Sequence, residues 1–133
     1  MVAAKIPEQY RDLLEKPIVV GLATMLPNGQ PQVTPVWADF DGTHIRINTA
    51  AGRQKQQDMA ARPQVTVLAI DPTNPYRYLE VRGRVSNISQ EGADAHIDAL
   101  AHQYLGVEKY PNRVPGEQRV ICYVEPVKVH AQG

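Results

Sequence analysis

Thr49, Gly52, Arg53 and Lys55 form a short run, T-x-x-G-R-x-K, whose residue types and spacing suit a definite chemistry. It opens the polar stretch RQKQQDMAAR (53–62), which reads as a helix ending before Pro63. A helix start carries free N–H groups and a partial positive charge, so acids are favoured there. Each misplaced cation costs roughly 0.3–1 kcal/mol. This helix nevertheless begins with Arg53 and Lys55. The helix expected over residues 7–16 follows the rule, with Pro7 at its first position, Glu8 and Asp12 near its start and Lys16 at its end. A bound anion reverses the argument, because backbone N–H groups, an Arg fork and a Lys ammonium then converge on one phosphate. Gly52 lets the backbone approach closely and Thr49 adds a hydroxyl donor. The bland alternative is that both cations extend into water at modest cost.

Other chemistries find little support. There is no G-x-S-x-G elbow, and the only serines are Ser86 and Ser89. Cys122 lies within VICYV, the setting of an inert buried thiol. The histidines at 44, 96, 102 and 130 lack metal-ligand spacing, and Asp98 with His102 reads as a solvated i,i+4 pair. With no acid, base or nucleophile evident, catalysis here would rest on a cofactor.

The elements that must position the run are short and mainly β. Residues 18–24 form a continuous apolar strand, and Asn28-Gly29 turns it back into QVTPVWADF (32–40). Asp41-Gly42 marks the turn into 43–49, which predicts a three-stranded meander. Strands follow at 64–70 and 76–88 around a DPTNP loop, with Leu79, Val81, Gly83 and Val85 on one face. Gly83 inside that strand predicts a bend or close backbone approach. Ser89 is placed to cap a third helix that buries Ala93, Ile97, Ala101, Tyr104 and Leu105. A last strand, RVICYVEPVKVHA, breaks near Pro126. This pattern favours a small barrel over a doubly wound sheet.

With 133 residues, 43% hydrophobic and 21% charged, the chain is expected to form one globular domain spanning 1–133. It has no run long enough to cross a bilayer, its opening MVAAKIPEQYRD turns polar too soon to be expected as a secretory signal, and its single cysteine fits a reducing cytoplasm. Fourteen basic residues balance fourteen acidic ones, which argues against broad polyanion binding. The balance is uneven, because residues 46–84 hold seven cations, six of them arginine, against three acids. One Trp and one Phe offer few stacking platforms for nucleic acid.

The segments INTAAGRQKQQDMAARPQVTVLAID (47–71) and LATMLPNGQPQVTPVWADFDG (22–42) resemble the pyridoxamine 5'-phosphate oxidase-like split β-barrel superfamily. Within it the chain is most similar to the deazaflavin (coenzyme F-420)-dependent flavin/deazaflavin oxidoreductase B group. The resemblance covers nearly the whole chain. It implies a mainly β, FMN-binding-like split barrel of six to seven antiparallel strands with three or more helices. It also implies a cofactor phosphate on Arg53 and Lys55, near Thr49 and Gly52, with the ring along Met25, Gln32, Val33, Thr34, Pro35 and Trp37. Such proteins are typically homodimers with the cofactor in a groove between subunits. Tyr76, Tyr78 and Arg119 are then expected from the second chain, with Tyr78 a candidate proton donor. The implied activity is hydride transfer from reduced coenzyme F-420 to a small conjugated organic acceptor. FMN is the alternative cofactor, and a non-catalytic flavin or deazaflavin carrier the alternative role. Arg46, Arg62 and Lys5 are candidates for the path of a deazaflavin's anionic tail.

Overall fold

The computed structural model describes residues 3–133; Met1 and Val2 of the expected 1–133 domain lie outside them. Seven strands pair antiparallel throughout: β1 (Val20–Met25), β2 (Pro31–Val36), β3 (Ala38–Phe40), β4 (Ile45–Ala50), β5 (Gln64–Asp71), β6 (Asn74–Ser89) and β7 (Arg119–Gln132). Their hydrogen-bonded order is β2-β1-β5-β6-β7-β4-β3. The helices are α1 (Asp12–Glu15), α2 (Gln54–Ala61) and α3 (Ala93–Leu105).

That order makes β2 and β3 the two edges of the sheet, yet only Trp37 separates them in the chain. The sheet must therefore curl until its edges meet at Trp37, which makes a split barrel of the class expected. The expected meander does not form. The segment 32–40 breaks at Trp37, β2 returns to β1, and β3 pairs with β4, whose other neighbour is β7. A side chain from α3 satisfies the break. The Tyr104 hydroxyl accepts from the Ala38 N–H at 3.1 Å and lies 2.8 and 3.0 Å from the Ile18 and Ala38 carbonyls.

Alternation supplies the interior. Leu22 of β1, Ile45 and Ile47 of β4, Val67 of β5, Leu79 and Val81 of β6 and Val124 of β7 are fully buried. Leu13 and Leu14 of α1 and Met59 of α2 join them. Gly83 makes the close approach expected of it: a Cβ there would lie 2.6 Å from Val124 Cγ1 and 2.8 Å from the Glu125 carbonyl oxygen. Opposite it, β7 runs on through Pro126 with a register shift rather than breaking.

Four local expectations are corrected. The 7–16 helix divides into a 3-10 turn (Glu8–Tyr10) and α1, with Pro7 ahead of the turn rather than in it. A segment bounded by two prolines is too short to sustain a helix on its own hydrogen bonds. Ser89 does not cap α3; its hydroxyl accepts from the Glu91 N–H, and Gly92, at φ 74°, leads into the helix. α3 buries His96 and Leu100 in place of Leu105, which is exposed beside the Gly106 terminus. The DPTNP loop tightens to a two-residue turn closed by the Asp71 carboxylate on the Thr73 N–H and hydroxyl. Among the described residues, no helix is long and apolar enough to cross a membrane.

Candidate functional site

A recess of about 370 Å³ opens where the start of α2, the start of β7 and the inner turn of α3 meet the Trp37 seam. The register of β4 on β7 sets Ala50 opposite Arg119, which places Arg119 beside the turn leading into α2. Gly52 makes that turn at φ 92°, where a side chain would be strained. Its N–H and carbonyl are held by the Gln56 and Gln57 side chains at 2.9 Å each. Arg53 then takes the extended N-cap conformation without capping by its side chain, and the first turn of α2 contains no acid.

Arg53, Lys55 and Arg119 all line the recess, together with Pro35, Trp37, Asn48, Tyr110 and Asn112. Glu117 sits between the two guanidinium groups, 2.8 Å from Arg119 Nη1 and 3.3 Å from Arg53 Nη2. The Arg119 hydrogen bond, with lesser help from Arg53, holds the Glu117 carboxyl below its ordinary value. Burial, followed by the charge on Arg53, pushes the Lys55 ammonium below its ordinary value. Among the described residues no carboxylate stands by Lys55 to offset this. Three cations therefore face one acid around an uncapped helix start, an arrangement that suits an anion.

Arg119, expected from a second subunit, lies in the same recess as Arg53 and Lys55 of its own chain. Thr49 faces the interior at 2% exposure, so Asn48, its neighbour on the opposite face of β4, is the polar β4 side chain in the recess. Met25 lines a separate cavity of about 500 Å³ with Pro31, Arg82 and Arg84. Tyr78 lines another of about 570 Å³ with Leu68, Ile70 and His130. Its hydroxyl donates to Gln132 Oε1 at 3.2 Å. Gln32 and Thr34 are half-buried on the inner face of β2, opposite Thr24 and Leu22. Val33 and Tyr76 are 68% and 78% exposed, away from the recess.

Two tail candidates are already engaged. Arg46 grips Asp39 with two bonds of 2.8 Å. Arg62 donates to the Met25 carbonyl and to the buried Asp58 carboxylate, also at 2.8 Å each. Asp98 does not pair with His102; it accepts the Tyr110 N–H at 2.8 Å and meets Arg113 at 2.7 Å, anchoring the loop that carries Tyr110. Cys122 is buried, which pushes its thiol up to about 12 and keeps it unreactive. Among the described residues, no cluster of metal-ligating side chains occurs. Asn48, Tyr110, Asn112 and Glu117 were not signalled by the sequence. Asn48 reads as an ordinary outward strand position, and the other three lie in an irregular loop without periodicity.

A family described as pyridoxamine 5'-phosphate oxidase matches residues 6–133. Among solved structures, an F420 reductase is 38% identical, with a TM-score of 0.83 over 94% of this chain and 98% of that one. A conserved hypothetical protein from Mycobacterium tuberculosis is 23% identical, with a TM-score of 0.75 over 98% of this chain and 86% of that one. HupZ of Group A Streptococcus is 20% identical, with a TM-score of 0.65 over 95% and 93%. The last two show the fold alone. No curated protein matches the chain. The match over nearly all of the sequence and the split-barrel topology agree: this chain belongs to the pyridoxamine 5'-phosphate oxidase family.

Proposed function

We propose that the chain is a coenzyme F-420-dependent oxidoreductase that passes a hydride from the reduced cofactor to a small conjugated organic acceptor. The observation that carries this reading is the convergence of Arg53, Lys55 and Arg119 at the uncapped start of α2. The 38% identity to an F420 reductase supports the deazaflavin over other phosphate-bearing cofactors. When bound, the reduced deazaflavin supplies the hydride. The residues of this chain bind and orient: the three cations neutralise the phosphate, while Pro35 and Trp37 give the recess an apolar wall.

The whole chain, 1–133, acts in this proposal as one cofactor-binding domain of a homodimer whose groove lies between subunits. The outer face of β2, β1 and β5 supports that assembly. Val33, Leu68 and Ile70 are exposed there, with Gly21 and Ala23 opposite Leu68 and Val33 in the ladder, so a partner can approach the backbone closely. Tyr76 and Tyr78, remote from the recess of their own chain, would reach the groove from the partner, with Tyr78 a candidate proton donor. Met25 and Val33, on the outer face of the hairpin, would meet the ring there, whereas Gln32 points to the inner face of β2.

FMN is the second reading, and one observation favours it. Arg46 and Arg62 are tied to internal carboxylates, leaving fewer cations for a longer anionic tail. Titration of the protein with each cofactor separates the two, followed by oxidation of the reduced complex with a panel of acceptors. Deazaflavin binding with turnover is expected. FMN binding alone refutes the cofactor assignment, and deazaflavin binding without turnover identifies a carrier. Lys55→Ala is expected to weaken cofactor binding by ~1.5–3 kcal/mol, the range for a charge-assisted contact. Unchanged affinity in this variant refutes the anion site.

A further inference from the structure

Behind the recess runs a string of hydrogen bonds whose directions are all determined. Arg119 Nε donates to Asn48 Oδ1 at 2.9 Å. A guanidinium only donates, so the Asn48 amide oxygen must face it and the amide nitrogen must face the other way. On that side Asn48 Nδ2 has two hydrogens and two partners, the Ala93 carbonyl at 2.8 Å and His96 Nδ1 at 3.1 Å. A carbonyl only accepts, and the remaining amide hydrogen meets Nδ1, so Nδ1 carries no proton. The ring proton is then on Nε2, which donates to Asp39 Oδ2 at 3.1 Å. Arg46 donates to both oxygens of the same carboxylate. Burial opposes ionisation of Asp39, but the hydrogen bonds from His96 and Arg46 prevail and hold its carboxyl below the ordinary value. Any other assignment sets donor against donor at one of these contacts.

The far end of the string is well placed to matter. Arg119 is only 6% exposed, Nη1 is taken by Glu117, and the Tyr110 ring covers the guanidinium at 5.2 Å. Nε is taken by Asn48, leaving Nη2 without a hydrogen-bond partner among the described residues while the side chain lines the recess. We propose that His96, as a neutral Nε2–H imidazole, is a positioning residue for the anion site: it orients the Asn48 amide and through it aims Arg119 into the recess. The proposal rests on the anion-site reading above and adds to it a buried side chain that touches no ligand.

The test uses the full-length protein. Nitrogen-15 spectra of the imidazoles at pH 7 should show His96 protonated on Nε2 alone; an Nδ1–H tautomer or an imidazolium overturns the proposal without any substitution. His96→Gln keeps an acceptor and a donor on one planar group, whereas His96→Phe keeps bulk and loses both. Titrated in parallel with coenzyme F-420 and with FMN, the Gln variant should bind within about threefold of the natural chain and the Phe variant about tenfold more weakly. Thermal melting confirms folding of each; if the Phe variant does not fold, the tautomer and the Gln variant's affinity decide. Equal losses in both variants, or none in the Phe variant, overturn the positioning role. Lys55→Ala distinguishes the two levels. If it too binds normally, the anion site itself falls; if it binds weakly while His96→Phe binds normally, only the positioning role falls.

Discussion

Lys55 stands half-buried beside Arg53, and its ammonium titrates below the ordinary 10.5 because desolvation and that neighbour both disfavour the charge. In the ligand-free protein this cost is fully present below the folded pKa. It is relieved as the pH rises from that value towards 10.5, where the unfolded chain holds the extra proton. A phosphate in the recess removes the same cost by supplying the missing counter-charge. Stability and binding therefore pull against each other at this position. Lys55→Met should raise the melting temperature of the ligand-free protein by about 2–4 °C, as a gain near 1 kcal/mol does in a domain of this order. It should at the same time diminish the rise in melting temperature expected when the cofactor binds the natural protein. Scanning calorimetry with and without cofactor checks both halves.

At the scale of elements, α3 holds the seam by way of one hydroxyl. Tyr104→Phe removes the acceptor for the Ala38 N–H and the donor shared by the Ile18 and Ala38 carbonyls. It should cost about 1–3 kcal/mol, the penalty for leaving buried polar groups unsatisfied, read from denaturant unfolding. The same elements show what a linear reading captures. The β1–β2 hairpin was legible because its turn is local: Asn28-Gly29 supplies a residue at φ 86° where the chain reverses. The cationic start of α2 was legible for the same reason, since a helix terminus and its charges lie within a few residues. The pairing of β4 with β7 was not, because its partners lie about seventy residues apart and no local propensity records them. The misread meander and the unexpected arrival of Arg119 in its own chain's recess both follow from that long-range pairing. Glu117 and His96 were illegible for a related reason, since their roles depend on what folding sets against them.

For the whole molecule, several acids titrate low for a common reason. Asp12 gains hydrogen bonds from Arg77, Asp98 from the Tyr110 N–H and then Arg113, and Glu117 from Arg119. Asp39 is held low by His96 and Arg46 against its burial. Stability from these groups is present above their unfolded values, 3.8 for Asp and 4.5 for Glu, and is lost as the pH falls through their lower folded values. Arg46→Gln takes one partner from Asp39, so acid unfolding followed by circular dichroism should move to higher pH. Assembly belongs to this scale as well. Val33→Glu places a charge in the exposed apolar face of β2 and should convert the proposed dimer to monomer in light scattering. A dimer that survives the change would place its interface elsewhere.

Trp37 is the only tryptophan in the chain, and it occupies two significant places at once. It is the single residue between the edges of the sheet, and it lines the cationic recess, stacked on Tyr104 at 5.2 Å and edge-on to Tyr110 at 6.2 Å. Its emission therefore requires no label and no assignment. A red shift on denaturation reports the parting of the barrel's edges, and quenching or energy transfer on addition of a coloured cofactor reports filling of the recess. One indole makes the closure of the fold and the occupancy of its site optically visible from the same atom group.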